Sequence, residues 1–100
     1  MIYDIELEKS LAERIYKLGG VELILKAIEW YVSRMELKTL SEEDRMRINP
    51  RMCSVLDNEV MRLEIPDEIW KKLKEFADGN RIRVYNVIKE AIREYLHENY

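Results

Sequence analysis

The side chains in this chain best able to do chemistry are arginines, and they fall at few places. Arg45, Arg47 and Arg51 lie in RMRINPR, seven residues without an acid, and Arg81 and Arg83 form R-I-R. Arg62 stands in the alternating run VMRLEI. A guanidinium offers a fork of donors that fits phosphate oxygens and the acceptor edge of guanine. These sites therefore point to holding anions, not to bond making. Nucleophilic catalysis lacks its parts, since His97 is the only histidine and no glycine-rich phosphate loop occurs. One histidine and one distant thiol, Cys53, do not make a metal site. Neither enzyme activity nor a cofactor or small-molecule substrate is expected.

Charge has to be weighed by place. The net charge is −3 with 37% charged residues, which is an acidic balance for a nucleic-acid binder. Residues 1–36 hold five Lys/Arg against seven Asp/Glu, residues 37–58 four of each, and residues 59–100 eight against nine. No early apolar run resembles a leader, because Asp4, Glu6 and Glu8 interrupt it. No apolar stretch has the length of a membrane span. A single cysteine, with no internal disulfide to form, suits a reducing cytoplasm.

The elements that must position the arginines are clearest from Val60 to Asn99. Met61, Leu63 and Ile65 alternate with Val60, Arg62 and Glu64, so period two predicts a strand with the first set buried and the second on the opposite face. Pro66 ends it, and Asp67 and Glu68 place negative charge in the first turn of a helix. Ile69, Leu73, Phe76 and Ala77 form that helix's buried stripe, and Gly79 and Asn80 are expected to take a left-handed stop. A second helix is predicted from about Tyr85 to Glu98, with Val87, Ile88, Ala91, Ile92, Tyr95 and Leu96 inward. Its carboxylates Glu90 and Glu94 read as solvated surface. One strand cannot close a sheet, so this unit must pair with a second copy.

The pattern RLEIPDEIWKKLKEFA…IRVYNVIKEAIREYL resembles the ribbon–helix–helix transcription regulators, over about 40 residues. The resemblance implies an antiparallel ribbon whose outward side chains read base edges of double-stranded DNA. It also implies a phosphate anchored at the start of the second helix. Carried over, the readers are Val60, Arg62 and Glu64, and the anchor is Arg83, Val84 and Tyr85, with Arg81 nearby. Many members carry Ser or Thr where Arg83 and Tyr85 stand. A carboxylate such as Glu64 accepts from cytosine N4 but repels the backbone elsewhere.

The first unit looks like a second copy. Ile5-Glu6-Leu7 matches Leu63-Glu64-Ile65 at an offset of 58, and Leu11, Ile15 and Leu18 match Ile69, Leu73 and Phe76. Beyond Gly19-Gly20 the offset becomes 64, where Ile24, Ala27, Ile28, Tyr31 and Val32 match Ile88, Ala91, Ile92, Tyr95 and Leu96. The expected fold is therefore mainly α with a short two-stranded antiparallel β-ribbon, a tandem ribbon–helix–helix pseudo-dimer. Its parts are a degenerate first unit at 1–36, a linker at 37–58 and a second unit at 59–100. Tandem copies of this kind are known in regulators from archaeal viruses, to which the chain is similar.

In the linker, Ser41 and Asp44 suggest a helix from about Glu42 to Ile48. The first unit's second helix could run on through Met35 and Leu37. The linker is either a tether or a basic arm whose Arg45, Arg47 and Arg51 lie on phosphates. Trp30 and Trp70 are either core-margin side chains or anchors of an interface, and the wide helical stripes leave room for self-association. The functional expectation is a sequence-specific regulator of transcription. Its rival is a protein-interaction module that keeps the fold without DNA binding.

Overall fold

Strand formation follows the alternation. In the computed structural model, which describes residues 1–36, 38–48 and 58–100, strand β1 spans Ile2–Glu8 and β2 spans Asn58–Glu64. They form one antiparallel two-stranded sheet, with Ile5 opposite Met61 and Asp4 opposite Arg62. Ile5, Leu7, Met61, Leu63 and the following Ile65 are buried, while Asp4, Glu6, Arg62 and Glu64 are exposed. β1 extends one residue beyond each end of the expected Tyr3–Leu7. β2 starts two residues before the expected Val60 and ends one before Ile65, so that Asn58, assigned to the linker, opens it. Leu37, Arg51 and Cys53 lie outside the described residues.

Five helices accompany the sheet among the described residues: α1 Lys9–Leu18, α2 Val21–Arg34, α3 Glu42–Ile48, α4 Asp67–Gly79 and α5 Val84–Asn99. The order is strand–helix–helix on either side of α3. No helix is long and apolar enough to cross a membrane among these residues. The core runs between α2, α5, α4 and the sheet. Its members include every residue matched at the offset of 64 except Tyr95, which packs against its margin. Tyr31 meets Phe76 edge-on at 5.8 Å, and its burial pushes the Tyr31 hydroxyl well above its ordinary pKa. α2 stops at Arg34 without continuing through Met35.

The six-residue change of offset has a local account. α4 is three residues longer than α1, 13 against 10. Only Gly19 and Gly20 separate α1 from α2, both at positive φ, whereas four residues, Asn80 to Arg83, separate α4 from α5, and α5 begins at Val84, one residue before Tyr85, the counterpart of Val21. The second turn also corrects an expectation. Arg81 takes the left-handed conformation, at φ 57°, not Gly79 or Asn80. Asn80 is held back because its side chain is in use: Oδ1 accepts from the Leu40 N–H at 2.8 Å and Nδ2 donates to the Phe76 carbonyl at 3.0 Å. Arg81 then permits the Ile82 N–H to donate to the Ala77 carbonyl at 2.9 Å, and Ile82 is buried beyond it. An arginine in that conformation is strained, so Arg81→Gly is expected to stabilise the fold by about 1 kcal/mol. A urea titration with an unchanged slope and a higher midpoint is the check.

The linker helix is held, not loose. Ser41 Oγ accepts from the Asp44 N–H at 3.1 Å, as a helix-capping serine does. At the other end Ile48 is buried, and Arg47 Nη1 donates to Glu90 Oε1 at 3.0 Å. Glu90 is not solvated surface as expected: it is 4% exposed and pairs through its second oxygen with Arg93. A buried carboxylate needs such partners. The pair with Arg47 joins α3 to α5.

Trp70 stacks at a tilt on Tyr3, with centroids 6.0 Å apart. Trp30 meets Tyr95 edge-on at 5.6 Å and lies under the Arg34 guanidinium at 5.0 Å. Both indoles are half-buried against the core, and both are in use within the molecule.

Candidate nucleic-acid interface

The outward face of the sheet is the surface to which the sequence assigns reading. Its cross-strand neighbours are Ile2 with Glu64, Asp4 with Arg62, Glu6 with Val60 and Glu8 with Asn58. All eight are exposed. The three candidate readers Val60, Arg62 and Glu64 thus stand on one face of one strand. β1 adds Ile2, Asp4 and Glu6 to that face, where the same alternation in the first strand puts them, and Glu8 beyond them.

The chief finding is what Arg62 touches. Its Nε donates to Asp4 Oδ1 at 3.0 Å and its Nη2 to Asp4 Oδ2 at 3.4 Å, a two-pronged pair in the middle of the ribbon. The hydrogen bond from Arg62 holds the Asp4 carboxyl below its ordinary pKa, and Asp4 raises that of Arg62. With Arg62 so paired, Glu6, Glu8 and Glu64 leave the face acidic. Asp4 and Arg62 are also counterparts at the offset of 58, so β1 and β2 pair across equivalent positions of that alignment. Chain order gave no register between strands 58 residues apart, so this pair was not legible.

The start of α5 lies beside the ribbon. Tyr85 in its first turn donates from its hydroxyl to the Glu6 carbonyl at 2.7 Å. Burial raises the Tyr85 pKa, helped by Glu6 and Glu8. The role of Tyr85 is therefore to tie helix to strand. Arg83 occupies the N-cap position of α5, and no side chain among the described residues caps the helix there; N–H groups of a helix's first turn are the kind that receive an anion. Val84 begins the helix and is half-buried. Val21, which matches Tyr85, has no hydroxyl to offer the other strand.

A further cation is present that sequence reasoning passed over. Lys89 lies over the Tyr85 ring at 5.6 Å and 3.9 Å from Glu8. Its spacing of four residues from Tyr85 along α5 was the available signal. Arg81 is exposed in its turn. Arg45 and Arg47 are elsewhere: α3 packs on the middle of α5 at Glu90, about 9 Å along the helix from its start. Arg47 is engaged by Glu90 and, at 3.8 Å, by Asp44. The chain matches no family model, and no curated protein or solved structure is significantly similar to it.

Proposed function

We propose that the chain is a double-stranded DNA-binding regulator of transcription of the ribbon–helix–helix type, with both copies in one molecule as a pseudo-dimer. The observation that supports it is the antiparallel pairing of β1 with β2, one exposed face outward, with the start of α5 stitched to the ribbon by Tyr85. A two-stranded ribbon fits the major groove, and a helix start beside it is placed to hold a phosphate. On this reading Arg62 reads guanine, Arg83 and the first N–H groups of α5 clamp the backbone, and Lys89 adds a contact. Arg47 serves mainly to hold the linker.

The test is selection from a random duplex library at about 50 mM salt, followed by titration of the winning site at rising salt. Enrichment of a defined sequence, with affinity falling steeply as salt rises, is the expected result. The acidic face and the Asp4–Arg62 pair favour a second reading, a module that docks a basic surface of another protein. It predicts no retained duplex even at the lowest salt.

A further inference from the structure

The outward face of the ribbon has an internal symmetry that bears on which sequence it reads. The register places the equivalent residues Asp4 and Arg62 opposite each other, so any two-fold relation between the copies passes through that pair. Two residues to one side stands Ile2 beside Glu64, and two residues to the other stands Val60 beside Glu6. Ile2 corresponds to Val60, and Glu6 to Glu64, at the same offset of 58. Each flank of the central pair therefore presents one branched aliphatic side chain next to one carboxylate. Ile2 and Val60 are 60% and 58% exposed, among the few large apolar side chains so open to solvent. Within these three pairs only the centre is unlike, with an acid on one strand and an arginine on the other; beyond Val60 and Glu6 one end carries a further pair, Glu8 with Asn58.

We infer that the ribbon reads an inverted repeat whose halves each carry a cytosine next to a thymine, with a guanine specified on one strand at the centre. This rests on the DNA-binding reading above. A carboxylate accepts from the cytosine N4 amino group and meets a second acceptor at adenine N7, so cytosine is its base. An aliphatic branch fills the space against the thymine methyl. Cross-strand neighbours stand about 5 Å apart, a distance that spans adjacent bases. Ile2 and Glu6 are four residues apart on β1, which at a strand rise of about 3.4 Å is about 14 Å, or about four base pairs. Although one chain supplies both strands, its site is two-fold in the flanks and asymmetric only in the middle.

The experiment is parallel library selection with the natural chain, Glu64→Gln and Glu6→Gln. Both carboxylates are exposed, so neither change disturbs the core. Glutamine pairs with adenine through N6 and N7, so each variant is expected to exchange cytosine for adenine in one half only, the two variants altering opposite halves. At its preferred half, each variant should discriminate adenine over cytosine by about 10-fold. A defined site without inverted halves, or one that neither substitution changes, overturns the inference and leaves DNA binding standing. Failure of all three chains to enrich any duplex overturns the DNA-binding reading itself, and the inference with it.

Discussion

Asp4→Asn is expected to tighten duplex binding about 10-fold at low salt, although a direct contact with DNA is not required of Asp4. Two effects act in the same direction. The substitution removes one negative charge from a face that must approach phosphates. It also replaces an ionic, two-pronged partner of Arg62 with a neutral one, so guanine no longer competes with a carboxylate for the guanidinium. Arg62→Ala should lose roughly 10- to 100-fold at one base position, and Asp4→Asn should give no gain in that background. Fluorescence anisotropy on the selected site gives both numbers. The pair is not a near-neutral pH switch. Asp4 has a lowered pKa, so the pair is complete above the ordinary carboxylate value of about 4 and is lost only as pH falls through the still lower folded value. Weaker binding by Asp4→Asn would mean that the pair shapes the reading surface instead of competing with it.

That prediction could not have been written from the sequence, and the reason is physical. Alternation is a local code: it placed Met61, Leu63 and Ile65 inside and Val60, Arg62 and Glu64 outside, because successive side chains of a strand point to opposite faces. The helical stripes were local too, and the matched residues of α2 and α5 meet in the core as their periods require. Partners across the chain carry no such code. Asp4 and Arg62 are 58 residues apart in sequence, Tyr85 and the Glu6 carbonyl 79, and Arg47 and Glu90 43. Glu90 was misread for the same reason. Three residues before Arg93, it has the spacing of a surface pair, and nothing in α5 shows that α3 will cover it. The left-handed residue was missed by one or two positions because Asn80, a good candidate, is held by Leu40 from the distant segment before α3.

The other large effect concerns stability and separates Glu90 from its two partners. Glu90 is buried, whereas Arg47 and Arg93 are half or more exposed. Removing one arginine leaves the carboxylate with the other, so each single Ala variant should cost little more than a partly exposed ion pair, about 1 kcal/mol or less. Removing both strands a buried charge, and Arg47→Ala with Arg93→Ala is expected to lose about 3–5 kcal/mol. For a domain whose total stability is about 5–15 kcal/mol, that brings unfolding close to ambient conditions. The cost belongs to the uncompensated charge and not to lost packing, which gives the argument its test. Adding Glu90→Leu to the double variant removes the charge and should restore most of the loss, so the triple variant unfolds at higher urea than the double. Had the arginines acted through their own contacts, the third substitution would restore nothing. The recovery also reports on the linker, because Ile48 must hold α3 against α5 once Arg47 no longer does.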